Sequence, residues 1–586
     1  MNDAQGRNPK FHTHKAGRRA ARLLALVAVA ALSACSNASA PPPLRVGVSA
    51  VPITPCGESA DWDGPITVSG VWGEAFEDLN ANLRWDPGEP FTDEPANDEL
   101  DATSEGEWDG IYMAGFGSDR IAIGCHDDLW ARTLVVDDGE TRVSMTVVDT
   151  IGMLTWGSYS GFQKERAQLA AELELDSTIY SSTHNHEGPD TIGLWGPELT
   201  SDGKFPLYMR YIDRQVARSL REAVGSLAPV AEVRAFSATT ATNPELKGLQ
   251  VRTGCRPPWI FDDELRGLAF LGADGDALAT FINWGTHPES LEDENLYISS
   301  DFPHWIREQV EQTLGGTAVY ASADLGAVEI VGDTCVTGAD ARNPDGSNEF
   351  DVRDNLGFAR TEAIGRLVGG VVAEGLRAAE PLDVVSLATR RVEYRSAASN
   401  ALFELGRLVG VLDLDSEIYD PTLCPGATGL CGLLEQSVVE FLGRDGTPEI
   451  QMITLPGEVF PELFLGVAAN RRTDCPAADT GRPAEPSIRD RMTAPYRFVI
   501  GLSPDQIGYV VPGYDFYPGI GLDEETSDVC RGQGYDPAVA RRTVPAHYHE
   551  TLSVGVEVGA LVTCKAAELL AGPESIANEQ ACQGLP

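Results

Sequence analysis

Two hydrophobic periods alternate along this chain, and they do so twice. Thr141–Asp149 is rich in β-branched residues and reads as a strand, Phe162–Leu173 reads as a helix, and Ser177–Thr183 as another strand. Leu207–Val224 then sets Met209, Ile212, Val216, Leu220 and Val224 at helical spacing, an apolar stripe suited to packing on a sheet. The second half repeats the pattern. Strands at Ala277–Trp284 and Thr317–Ala321 bracket a helix at Phe302–Leu314, and Gly357–Ala379 is amphipathic through Ile364, Leu367, Val368, Val371 and Val372. A strand near Val384–Tyr394 follows, then a strand at Glu449–Leu455, a helix at Phe460–Arg471 and a strand at Arg497–Leu502. Strands interleaved with helices predict an α/β architecture of mixed sheets with packed helices.

The N-terminus predicts export. Lys15, Arg18, Arg19 and Arg22 precede an apolar run from Leu23 to Leu32, much shorter than the ~20 residues a bilayer span needs. Leu32-Ser33-Ala34-Cys35 then resembles a bacterial lipobox, which makes residues 1–34 a lipoprotein signal peptide and Cys35 the lipidated mature N-terminus. Ser36 after it favours the outer membrane, and residues 35–44 read as a tether. Of 11 Cys, removing Cys35 leaves ten, an even number compatible with disulfides in an oxidising compartment. Cys424 and Cys431, bracketing Pro425-Gly426 and Gly429, are the best candidates for a local staple. The leader holds six bases and one acid, so the mature chain carries (44 − 6) − (88 − 1) = −49. Such a charge excludes nucleic acid as a partner.

Nine His are present, two of them in the leader. His184 and His186 lie two apart in Thr183-His184-Asn185-His186-Glu187-Gly188-Pro189, just past a strand, and His287 follows a second strand in Trp284-Gly285-Thr286-His287-Pro288. Imidazoles at the carboxyl ends of strands in an open α/β sheet are placed to converge. Zinc suits such a site because it accepts neutral imidazole nitrogen and carboxylate oxygen and leaves a position for water. Singly, each His reads as a hydrogen-bonded core or surface residue; together, the two Thr-His contexts point to a metal.

These segments resemble a family. Val46–Ser49 through Pro55, Gly124–Arg132, Val148-Asp149, Ser182–Pro189, Trp284–His287, Ile298–Asp301, Pro456–Glu458 and Gly501–Tyr509 follow one another as in the neutral/alkaline non-lysosomal ceramidases, across most of residues 45–553. The resemblance implies a ceramidase-like catalytic domain over 45–586 and a zinc ion held by His184, His287, Glu458 and Tyr509. Without it, Glu458 reads as a carboxylate at a helix N-terminus and Tyr509 as core. It further implies hydrolysis of an N-acyl amide, ceramide to sphingosine and fatty acid, by a zinc-activated water. His186 is then the neighbouring acid/base, its other reading being to orient a ligand, and Tyr548 in His547-Tyr548-His549-Glu550 the donor to the oxyanion.

Three departures bear on the substrate. Gly326-Ala327-Val328-Glu329 puts Glu329 where ceramidases have a serine, and Asn243-Pro244 lacks a substrate-facing arginine. Only 36 residues follow Glu550, too few for the C-terminal immunoglobulin-like domain of full-length ceramidases. Another amide or an ester, or a non-catalytic binding role in the envelope, therefore stays open.

A separate signal lies in an acidic insertion at residues 74–108. Asp78, Asn80, Asn82, Asp86 and Glu89 occupy positions 1, 3, 5, 9 and 12 of an EF-hand-like calcium loop, although Leu83 stands where a turn-forming glycine is expected. Asp93, Asn97 and Asp101 can complete this or a second site. The bland alternative is a solvated acidic loop.

Overall fold

Three sheets share one construction: antiparallel neighbours plus a single parallel pair. The computed structural model describes residues 43–585 apart from 63, 93–107, 155–160, 240–251, 254–259, 331–356, 413–423, 425–430, 468–478 and 518–546. The first sheet orders its strands Ser177–Ser182, Arg142–Val148, Trp130–Asp137, Arg45–Pro52 and Ala228–Pro229. Its parallel pair is Arg142–Val148 with Ser177–Ser182. The second runs Thr317–Ser322, Ala277–Trp284, Glu264–Leu271, Glu232–Thr239 and Pro381–Leu382, with the first two parallel. The third runs Val384–Ala397, Cys431–Gly443, Pro448–Thr454 and Tyr496–Ile500, with the last two parallel.

A parallel pair needs a crossover, because its strands start at the same end of the sheet. The helices Gly161–Glu172, Phe302–Leu314 and Pro461–Leu465 lie in those three crossovers. The inner faces of the sheets meet in one core, where Leu134 and Met145 of the first pack with Phe270 and Phe281 of the second and Phe441, Met452 and Phe498 of the third. Burying side chains of this size contributes roughly 1.5–3 kcal/mol each. The outer faces are covered by helices: Pro206–Gly225 on the first sheet, Phe302–Leu314 with Phe358–Ala378 on the second, and Val558–Ala571 on the third.

The predicted elements are present, with one correction. The helix expected over Phe460–Arg471 is the five-residue Pro461–Leu465, closed by Gly466 at φ 70°, whose N–H bonds the Glu462 carbonyl. A glycine in the left-handed region is a common helix stop, and here it outweighs the apolar periodicity beyond it. Cys424 and Cys431 form the expected staple, and Cys56–Cys125 and Cys564–Cys582 are also bonded. Cys255, Cys335, Cys475 and Cys530 lie outside the described residues, as do the leader, Cys35, most of the tether, Asp93, Asn97, Asp101 and Asn243-Pro244.

Candidate metal centre

The three parallel pairs deliver the candidate residues to one place. His184 follows the strand ending at Ser182, His287 the one ending at Trp284, and Glu458 the one ending at Thr454, while Tyr509 comes after the strand ending at Ile500. All are carboxyl ends of strands from the parallel pairs, the end at which α/β sheets bind ligands. The sheets are tied together there. Ser322 Oγ donates to the Thr183 carbonyl at 2.6 Å, Ser181 Oγ to that of Gly501 at 2.8 Å, and Asn283 Nδ2 to that of Val499 at 2.8 Å.

His184 is held at φ 66°, a conformation that costs a non-glycine residue about 1–3 kcal/mol. Backbone bonds from Thr183 to Val148 and from Asn185 to Thr150 fix the turn on either side of it. Glu458 and Tyr509 come from two short strands that pair in parallel, in register with each other. That pairing demands glycines: a Cβ at Gly457 would lie 2.5 Å from the Gly508 carbonyl oxygen, and one at Gly508 would lie 1.6 Å from that of Leu552. The Pro-Gly-Glu and Ile-Gly-Tyr motifs thus have a steric reason.

At the centre, His184 Nδ1 meets the Ile151 carbonyl at 2.6 Å and His287 Nδ1 that of Val328 at 2.8 Å. A carbonyl only accepts, so both rings carry a proton on Nδ1 and, in the neutral form that binds a metal, present an Nε2 lone pair. Both lone pairs face one oxygen: Glu458 Oε2 is 3.3 Å from His184 Nε2 and 3.1 Å from His287 Nε2. Atoms of these types at this spacing could share one metal ion. Gln506 Nε2 donates to the other Glu458 oxygen at 2.6 Å and holds the carboxylate in place. Two groups of metal-type ligands occur among the described residues, His184 with His186 and His287, and His287 with Glu289 and Glu329. Tyr509 lies beside them, its ring 6.4 Å from that of His287 and its hydroxyl 3.2 Å from that of Tyr548. Burial, reinforced by the Glu458 carboxylate, pushes the Tyr509 phenol well above its usual range. Only a cation beside it would favour the phenolate.

His186 sits next to the three without sharing their bonds. Its ring is 4.8 Å from that of His184 and 5.5 Å from that of His287, it is 6% exposed, and neither nitrogen makes a hydrogen bond. Burial holds it well below the usual imidazole value, so it is neutral. Tyr548 donates to Glu329 Oε1 at 3.1 Å. Glu289, which the sequence reading did not single out, places Oε2 3.4 Å from His186 Nδ1. Its signal was its position, two residues past His287 on the same turn.

These groups form one end of a cavity of about 410 Å³. Ile151, Leu154, Ile192, Trp195, Phe403 and Leu412 are among the side chains that make its remaining wall apolar.

The calcium-type ligands lie apart from this centre. Asp78 accepts from the backbone N–H of Asn82 and Leu83, Glu89 from those of Leu79 and Asp86, and Asp86 takes both amide groups of Asn80 and Asn82 on one oxygen. Leu83 adopts φ 66°, the conformation expected of the missing glycine.

This mixed α/β body has a ceramidase-like fold by its similarity to solved structures. The chain is similar to the neutral ceramidase from Pseudomonas aeruginosa, with a TM-score of 0.51 over 90% of this chain and 74% of that one, at 14% identity. It is also similar to a ceramidase complexed with C2, with a TM-score of 0.52 over 91% and 75%, again at 14% identity. No family model matches the chain.

Proposed function

We propose that this chain is a zinc-dependent hydrolase of ceramidase type, with His184, His287, Glu458 and Tyr509 as ligands and an N-acyl amide as substrate. The observation that carries the reading is the convergence of two Nε2 lone pairs on Glu458 Oε2 at 3.3 and 3.1 Å, at the end of an apolar cavity. When bound, zinc supplies a Lewis acid for the acyl carbonyl and lowers the pKa of water to about 7. The chain's residues do the rest. The apolar wall takes up the acyl chain and excludes bulk water. His186 accepts the proton of the attacking water and returns it to the leaving nitrogen as the C–N bond breaks, and the Tyr548 hydroxyl turns from Glu329 toward the developing oxyanion.

Ceramide, giving sphingosine and fatty acid, is the first substrate to test, because the similar solved structures are ceramidases. Glu329 in the same cavity favours a second reading, in which the metal chemistry stays and a different amide or ester is cleaved. The lipobox-like segment supports an exported protein anchored through Cys35 to the outer membrane. The loop of Asp78, Asn80, Asn82, Asp86 and Glu89 is assigned to a structural calcium ion, with the Asn80 and Asn82 amides turned to present their oxygens.

Metal analysis of the purified mature protein tests the core of this reading. About one zinc per chain is expected, together with release of fatty acid from N-acylsphingosines that simple esters and N-acyl amino acids do not match. Absence of stoichiometric metal defeats the enzyme reading and leaves a binding protein.

A further inference from the structure

A second cavity lies beside the helix Pro206–Gly225, which covers the first sheet. Its volume is about 340 Å³, and it is lined by Ala60, Asp61, Trp62, Arg214, Gln215 and Arg218, none of which lines the cavity at the metal centre. Two polar atoms of these side chains have no partner among the described residues. Trp62 is 9% exposed and Gln215 3%, and neither the indole Nε1 nor the amide Oε1 makes a hydrogen bond. The indole is held in place, stacked on Trp72 at 3.9 Å and 5° with Phe205 and Tyr211 edge-on against it. Trp72 itself donates to the Gly57 carbonyl at 2.8 Å, so the want of an acceptor is particular to Trp62. A buried donor and a buried acceptor are each costly to leave unpaired.

Charge at this cavity is unmatched as well. Arg214 and Arg218, four residues apart, share one face of the helix. Arg218 pairs with Asp61 at 3.0 Å and with Glu222 at 2.7 Å, whereas the Arg214 guanidinium reaches only the Asp61 carbonyl, at 3.4 Å, among the described residues. In a chain with 88 Asp and Glu against 44 Lys and Arg, the helix therefore offers a cation with no carboxylate in contact beside a polar cavity.

We propose that this cavity is a binding site for a polyhydroxylated carboxylate of monosaccharide size, a sugar acid, separate from the chemistry of the metal centre. The carboxylate pairs with Arg214. An ionised carboxylate only accepts, so it leaves the Gln215 oxygen unsatisfied; a hydroxyl group donates and accepts, and hydroxyls on the same ring serve both that oxygen and the Trp62 N–H. The volume is at the small end of the range of about 300–1,000 Å³ for small-molecule sites. The ring sits between the segment Ala60–Trp62 and the helix, with the Arg218–Asp61 pair joining the two walls.

The test is calorimetric titration of the full mature chain with glucuronate, glucose and cyclohexanecarboxylate at constant ionic strength, with and without zinc. Glucose keeps the hydroxyls and lacks the charge; cyclohexanecarboxylate keeps ring and charge and lacks the hydroxyls. Glucuronate should bind saturably and at least about tenfold more tightly than either. Arg214 is exposed, so Arg214→Gln keeps the fold, and in that variant the affinity for glucuronate should fall to that for glucose. Absence of saturable glucuronate binding overturns the site, as does equal affinity for either control or a preference that survives Arg214→Gln. Binding that disappears when zinc is removed belongs to the metal centre and overturns it too. Zinc content is untouched by any of these outcomes, so this site and the hydrolase reading fail separately.

Discussion

The nest around Glu458 and the loop Asp78–Glu89 both concentrate metal-type ligands, yet they satisfy them in opposite ways. In the loop, carboxylate oxygens accept from the chain itself: the backbone of Leu79, Asn82, Leu83 and Asp86, and the side chains of Asn80, Asn82 and Arg84. In the nest, the imidazole protons are spent on carbonyls, and two lone pairs face a carboxylate that has no proton to give while ionised. Acceptors facing acceptors in a buried site are costly unless a cation lies between them. The loop can hold its shape without an ion, whereas the nest could hold one. Side-chain composition alone does not separate these cases; the direction of each hydrogen bond does.

The sharpest way to break this contrast is to remove the facing lone pairs. His184→Ala with His287→Ala should take zinc from about one per chain to near zero and abolish hydrolysis, with the fold retained by circular dichroism. Zinc kept by that variant would place the metal elsewhere. A smaller effect is expected from Gln506→Ala, which frees the second oxygen of Glu458 without removing a ligand. Groups that orient a ligand typically contribute 10–100-fold to affinity, so a competition titration should show zinc weakened by about that factor. Unchanged affinity would mean that Glu458 is oriented by its backbone pairing alone.

Legibility in the sequence followed the same division. The strand and helix pattern was readable because each sheet has one face in a shared core and one under a helix, so the periods of 2 and 3.6 survive in the residues. Phe302–Leu314 and Ala277–Trp284 were readable to the residue. His184 and His287 were visible as imidazoles at strand ends, but Glu458 and Tyr509 were not. Their partnership depends on a two-residue pairing between segments some fifty positions apart, which no local period records. Glu289 was missed for a related reason: one acid two positions past a histidine carries no signal until the fold brings Glu329 and His186 beside it. The end of the helix at Leu465 is marked by Gly466, against an apolar pattern that continues beyond it.

On the loop side, calcium should raise the melting temperature and EGTA should lower it, by an amount that disappears in Asp86→Asn, Glu89→Gln. Saturation at about 100 times the dissociation constant adds roughly 2.7 kcal/mol to the stability of whatever unfolds with the loop. Zinc content should not change in that variant. No calcium shift would leave Asp78–Glu89 as a self-satisfied acidic turn.

The smallest effect concerns a carboxyl outside both regions, beside Gly513 and Arg482. Glu485 lies away from both regions, accepts one bond from the Gly513 N–H at 2.7 Å and lies near Glu462. Burial, opposed by that bond, pushes it up to about 7 from 4.5. Because the folded chain holds this proton more tightly than the unfolded one, its contribution is present below about pH 4.5 and is lost as pH rises through about 7. Glu485→Gln keeps the shape and cannot ionise, so it should flatten the fall in melting temperature between pH 5 and 8 while leaving metal content alone. A parallel pH dependence in both proteins would show that Glu485 finds a cation or solvent on ionising. It would then belong with the satisfied carboxylates of the loop rather than with those that need a partner from outside the chain.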